Sequence, residues 1–170
     1  KNFEIVMINE INPYVKNVVY SINYDSTYGK YEDRFKIVEN NHIQNSTSKI
    51  KITNFDSLEK IDLKNIDIII DSSGKKEDIK LLKNLPVIAI FLTHPNNEAD
   101  INVILGVNEK DLNPNIHKII STSSCNATAL LPALKLINDK KEILCGDILT
   151  VHPLLNHQRV LDGSFVKSDT

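Results

Sequence analysis

Apolar residues run along this chain in short blocks, and the spacing within each block separates strands from helices. FEIVMIN (3–9), NIDIIIDSSG (65–74), PVIAIFL (86–92), NVILGVN (102–108), HKIISTSS (117–124) and EILCGDILTVH (142–152) each read as strands. Several of them are nearly unbroken apolar runs, the pattern of a parallel strand buried on both faces. FKIVE (35–39) and SKIKITNF (48–55) instead alternate, which predicts a hairpin with the polar NNHIQNST between them. Helical spacing follows Pro13, in its favoured first-turn place, to about Ile22, and recurs in KKEDIKLLKNL (75–85), which Pro86 ends. A third helix is expected from about Asn126 to Asn138. DSLEKIDL (56–63) suggests a helical turn, while YDSTYGKYE (24–32) and THPNNEAD (93–100) read as loops, and the chain after His152 as irregular. Strands alternating with helices predict an open, mostly parallel α/β sheet.

In such a sheet ligands bind beyond the carboxyl ends of the strands. The ends to inspect are Asn9–Glu10, Ser72-Ser73-Gly74, Thr93-His94, Cys125 and His152. An acid such as Glu10 can hold the ribose hydroxyls of a dinucleotide and repel a 2′-phosphate; a solvated loop acid is the alternative. Ser73 and Gly74 would allow close backbone approach to a cofactor, or form a plain turn. Cys125 stands where a helix begins, so the free N–H groups and the macrodipole favour its thiolate. Ser121, Thr122, Ser123 and Ser124 can cap that helix or offer hydroxyls to an anion. A buried structural cysteine is the competing reading, and for Cys145, inside an apolar strand pattern, it is the preferred one. His152 at a strand end could pair with Cys125 to generate a nucleophile and later move a proton. No His/Cys/Asp cluster has metal-ligand spacing, so no metal site is expected.

Composition narrows the classes. With 170 residues, 41% hydrophobic and 25% charged, the chain is ordinary for a globular protein. Its net charge of −2 offers no footprint for nucleic acid or an anionic membrane. No apolar stretch approaches the roughly 20 residues of a membrane span, and KNFEIVMINE does not open like a signal peptide. Two cysteines without such a signal fit a reducing, cytoplasmic setting.

SSCNATALLPALKLIND (123–139) resembles the active-site segment of the glyceraldehyde-3-phosphate dehydrogenase superfamily, where a Ser-Cys-Thr-Thr-Asn-Cys motif opens a helix. The family's histidine follows in a Thr-Val-His context; here TVH ends at His152, 27 positions (152 − 125) after Cys125. YDSTYGKY, DSSG, GVNEKDL and HQRVLDG are similar to further family segments in the same order. INEINP, the THPNN loop and HPLLNHQRVLD lean toward the erythrose-4-phosphate dehydrogenase branch.

The resemblance implies a Rossmann-type, mostly parallel sheet lacking its first strand and glycine loop. Residues 1–123 would be a partial NAD-binding domain and 124–170 the start of an α+β catalytic domain. It implies NAD-dependent oxidation of a phosphorylated aldehyde, as in glycolysis, through a thioester on Cys125, with His152 as the proton acceptor. Ser124 and Asn126 would flank the thiol at an anion site, with His157 standing in for a lost phosphate-site threonine. Asn9 and Glu10 would hold the adenosine ribose, and Ser73, Gly74 and Thr93 would line the cofactor cleft. Inorganic phosphate or water would release the product, and a homotetramer is what the family implies. Alone, these 170 residues are expected to bind NAD poorly and to be inactive. A diverged, non-catalytic homologue acting as a binding protein is the reading from another class, since Asn126 and Ala129 replace motif residues.

Overall fold

The computed structural model describes residues 3–39, 41–75 and 78–152. Contacts divide it into two compact units, one holding residues up to Asp62 together with His152, the other Leu63–Val151.

In the first unit, β1 (Met7–Asn9) runs parallel to β6 (Lys49–Thr53), with Asn9 opposite Thr53. β6 continues antiparallel into β5 (His42–Gln44), and β5 into β4 (Lys36–Val38). Helix α1 (Val15–Asn23) covers this sheet. Its residues Val15, Val18, Val19 and Ile22 recur at i, i+3, i+4 and i+7, so one stripe meets Ile43, Ile50 and Ile52. Ile43 is fully buried, and each such side chain contributes roughly 1.5–3 kcal/mol. The Asn23 amide ties the helix end to the sheet: Nδ2 donates to the Phe35 carbonyl and Oδ1 accepts from its N–H. A small hairpin, β2 (Tyr24–Asp25) with β3 (Gly29–Lys30), follows α1.

The second unit carries a wholly parallel sheet in the order β7 (Ile68–Asp71), β8 (Ala89–Leu92), β10 (Ile119–Ser121), β9 (Ile101–Asn102). β10 is central and buried at every position. Helix α2 (Ile79–Asn84), capped by the Asp78 carboxylate on the Lys80 N–H, buries Ile79 and Leu82. Helix α3 (Cys125–Asn138) follows β10, with Pro132 inside it.

Several expectations are corrected. FEIVMIN forms a strand only over its last three residues, and Phe3, Ile5 and Val6 are exposed. Helix α1 starts at Val15 behind an N-cap at Tyr14, so Pro13 lies before the helix rather than in its first turn. NNHIQNST contains a strand of its own, and YDSTYGKYE folds into a hairpin around an Asp25 carboxylate that accepts from the Thr27 and Tyr28 N–H groups. Within NVILGVN the strand ends at Asn102, because the Asn108 amide accepts from the Ile104 N–H and turns the chain. EILCGDILTVH has no regular structure over 142–152; no strand among the described residues offers it a ladder, and a strand needs one. Cys145 is accordingly exposed, not buried. The apolar run of β7 also leaves Ile70 exposed.

Candidate functional site

The carboxyl end of β10 feeds a segment fastened by hydroxyl groups. Ser121, fully buried, donates its Oγ–H to the His94 carbonyl at 2.9 Å and accepts the Ser123 N–H at 3.1 Å. The N–H and hydroxyl of Thr122 both donate to the Leu92 carbonyl, at 2.9 and 3.1 Å. Ser123 has φ +65°, a left-handed conformation that costs an L-residue on the order of 1–3 kcal/mol and collects at functional sites. Ser124 then caps α3, its Oγ accepting from the Ala127 N–H at 3.3 Å. Cys125 is therefore the first residue of the helix, exposed, with Sγ 3.7 Å from Asn126 Oδ1.

An open cleft of about 460 Å³ lies here, lined by Thr93, Thr122, Ser123, Ser124, Cys125, Thr128 and Ala129. Thr93, Thr122, Ser123, Ser124 and Cys125, all singled out from the sequence, thus share one cleft, while Asn126 lies beside the thiol and is not part of the lining. Of the four hydroxyl residues before the cysteine, only Ser124 caps the helix; those of Ser121 and Thr122 bond backbone carbonyls. Thr128, one turn into α3, is a lining residue the sequence reading passed over; its i+3 spacing from Cys125 was the available signal.

At the end of β7, Asp71 is 8% exposed and Oδ1 accepts both the N–H and the hydroxyl of Ser73, at 2.9 and 2.7 Å. Its Oδ2 and the Nδ1 of His94 are buried without a hydrogen-bond partner. Gly74 adopts φ +69°, and a Cβ built there meets nothing within 4 Å, so the backbone stands open to an approaching group. Ser73 itself is held by Asp71 and accepts from the Lys75 N–H.

In the first unit, Asn9 and Glu10 close β1. The Asn9 amide is directed at the neighbouring strand end: Oδ1 accepts the Thr53 hydroxyl and the Phe55 N–H, and Nδ2 donates to the Phe55 carbonyl, all at 2.9 Å. Glu10 bonds the Thr53 carbonyl through its N–H and accepts the Asn12 N–H on Oε1. His152 is exposed, at the end of the irregular run. His157 lies outside the described residues. Among the described residues, no group of three His, Cys, Asp or Glu side chains could hold a metal, and no helix is long and apolar enough to cross a membrane.

Residues 1–79 match the family described as glyceraldehyde 3-phosphate dehydrogenase, NAD binding domain. The chain is similar to the glyceraldehyde-3-phosphate dehydrogenase superfamily. It is 32% identical over 168 residues to glyceraldehyde-3-phosphate dehydrogenase 2 of Trichormus variabilis, covering 96% of this chain and 50% of that protein. Glyceraldehyde-3-phosphate dehydrogenase of Thermotoga maritima is 31% identical over 95% of the chain and 49% of its own length. Glyceraldehyde-3-phosphate dehydrogenase 1 of Bacillus subtilis is 28% identical over 94% and 48%. The chain thus spans about half the length of the curated relatives it matches. Its parallel α/β architecture is the Rossmann type of this superfamily.

Proposed function

We propose that the protein containing this chain is an NAD-dependent dehydrogenase of a phosphorylated aldehyde, of the glyceraldehyde 3-phosphate type. The observation that carries the reading is Cys125: an exposed thiol on the first residue of a capped helix, in a cleft shared with Thr93, at the carboxyl end of a parallel sheet. Each unit by itself carries chemistry suited to part of a dinucleotide. Glu10 offers a carboxylate at the end of β1 for the ribose hydroxyls, Gly74 presents open backbone beyond β7, and Thr93 follows β8. NAD, when bound, supplies the acceptor for the electron pair and hydrogen that leave the substrate carbon.

In this mechanism the Cys125 thiolate, favoured by its place at the positive end of the helix macrodipole, adds to the aldehyde carbon. A C–S bond forms and the carbonyl oxygen is protonated, giving a hemithioacetal. His152 takes the hydroxyl proton as the carbon is oxidised, leaving a thioester on Cys125. Attack on that thioester by phosphate or water breaks the C–S bond, returns the thiolate and releases an acyl phosphate or an acid. Ser124, Asn126 and His157 would flank the anion. The division into a nucleotide domain ending near residue 123 and a catalytic domain beyond it belongs to this proposal, as do a homo-oligomeric assembly and a cytoplasmic setting.

Erythrose 4-phosphate is the competing substrate, on the strength of INEINP and the THPNN loop. The test is iodoacetamide alkylation against pH on the intact protein, with and without NAD, followed by a panel of phosphorylated aldehydes read by NADH absorbance. Cys125 should react at lower pH than Cys145 and respond to NAD. A Cys125 as slow as Cys145 and indifferent to NAD would leave a non-catalytic binding protein as the better reading.

A further inference from the structure

The turn between β10 and α3 holds one residue in a backbone conformation that its side chain does not favour. Among the described residues six have a positive φ: Gly29, Gly74, Gly106, Asn41, Asn65 and Ser123. Glycine has no Cβ to clash there, and asparagine is among the side chains enriched in the left-handed region. Ser123, at +65°, is the one of the six that is neither. Its neighbours prevent it from relaxing. Ser121 Oγ accepts the Ser123 N–H at 3.1 Å, the N–H and hydroxyl of Thr122 bond the Leu92 carbonyl, and Ser124 caps α3. A glycine would satisfy the same turn without the steric cost. A side chain nevertheless stands here against the backbone's preference, and it carries a hydroxyl.

That hydroxyl is idle within the protein. Ser123 is half-buried and lines the cleft with Cys125, yet its Oγ makes no hydrogen bond to a described residue, and solvent reaches it. The hydroxyls of Ser121, Thr122 and Ser124 are by contrast all engaged with the backbone. Ser123 and Cys125 are two residues apart, so their Cα atoms are separated by at most about 7 Å. An aldehyde carbon bonded to Sγ therefore brings its neighbouring atoms within reach of the Ser123 side chain.

We infer that Ser123 is a specificity-determining residue of this cleft, its hydroxyl pairing with a hydroxyl on the carbon next to the aldehyde. The inference rests on the dehydrogenase reading above and narrows its substrate class to 2-hydroxy aldehydes. The carbonyl oxygen is taken up by the proton step through His152, and the oxygen on the adjacent carbon is the next polar atom along the substrate. A serine hydroxyl can both donate to that oxygen and accept from it. A site that pairs with a substrate hydroxyl rejects the analogue lacking it, because its own polar group is then left without a partner. The constrained Ser123 backbone fixes where the hydroxyl stands.

The test uses the intact protein at saturating NAD and compares wild type with Ser123→Gly and Ser123→Ala. Values of kcat/KM are measured for glyceraldehyde 3-phosphate, erythrose 4-phosphate and 2-deoxyerythrose 4-phosphate, the last lacking the 2-hydroxyl. Wild type should prefer the hydroxylated aldehydes. Both variants should lose about 3- to 15-fold in kcat/KM on them, while the deoxy substrate changes by less than about twofold. Ser123→Gly should melt at or above the wild-type temperature, since it relieves the left-handed conformation. Iodoacetamide should alkylate Cys125 at the wild-type rate in both variants. Activity lost while stability is kept separates recognition from a structural role. An undiminished preference for the hydroxylated aldehydes in both variants overturns the inference while the dehydrogenase reading stands. An equal loss on all three substrates with slower alkylation would make Ser123 a support for the thiol and also overturn it. A wild type that oxidises none of the three removes the dehydrogenase reading, and the inference with it.

Discussion

The two units carry a parallel strand end fastened by side chains, and they do it by different means. At the end of β1 a single exposed amide, Asn9, grips the backbone of Phe55 and leaves a ring outward. At the end of β10 two hydroxyl residues, one of them fully buried, grip the Leu92 and His94 carbonyls and leave a thiol outward. In both places the polar side chains at the strand end bond the protein itself, and the group offered to solvent is the neighbour they position. The difference lies in burial. An exposed amide that is removed is replaced by water, whereas a buried hydroxyl leaves partners that water cannot reach. The thiol edge should therefore be the more fragile of the two.

The largest effect is expected from Ser121→Ala. It strips the His94 carbonyl of its donor and the Ser123 N–H of its acceptor, and Ser123 is already in a left-handed conformation. A loss of roughly 1–3 kcal/mol in denaturant unfolding is expected, with a slower alkylation of Cys125 at fixed pH. A stability within 0.3 kcal/mol or so of wild type, inside the usual scatter for a surface change, would erase the distinction between the two edges.

Asn9→Ala should be milder, about 0.5–1.5 kcal/mol, because its partners at Thr53 and Phe55 can turn to water. Asn9→Asp keeps the acceptor for the Phe55 N–H and loses only the donor to its carbonyl, so it should lie between wild type and Asn9→Ala. Reversal of that order in thermal melts would show that the amide holds something other than the backbone of Phe55.

The smallest effect concerns the opposite, amino edge of the parallel sheet in the second unit. Asp100 accepts the Lys118 and Ile119 N–H groups, both at 2.9 Å, and meets Lys83 at 2.8 Å. Partial burial pushes its carboxyl up, but the Ile119 N–H, the Lys83 ammonium and the Lys118 N–H pull it down further. The net pKa lies below the ordinary 3.8. A depressed folded pKa means the carboxylate stabilises the fold above pH 3.8, and that contribution fades as the pH falls below it through the folded value. Asp100→Asn should lose only about 0.2–1 kcal/mol at neutral pH, the range of a part-exposed ion pair. The gap to wild type should close in acid; a gap that stays constant down to pH 3 or so would detach the stability from this carboxylate.

Legibility followed the range of the interaction. β7, β8, β10, α2 and α3 appear where their apolar periodicity places them, because each is specified by its own residues. β5 was missed because three residues, His42–Gln44, carry too short a pattern and owe their state to pairing on both sides. EILCGDILTVH shows the reverse failure: strand-like side chains without a ladder beside them do not make a strand. The candidate site divided in the same way. That Cys125 opens a helix was readable from the hydroxyl run before it, and the cleft with Thr93 required the register of β8 against β10.

By itself the sequence determined the alternation of strands and helices, the cysteine at the head of α3 and the acid at the end of β1. Periodicity, capping and residue chemistry all act within a few positions of one another. Which polar groups face a ligand and which hold the backbone was decided only by the tertiary structure. Asn9 meets Phe55 across 46 residues, Ser121 meets His94 across 27 and Thr122 meets Leu92 across 30. A hydrogen bond must be satisfied by whatever the fold brings within about 3 Å, and no local pattern states what that will be.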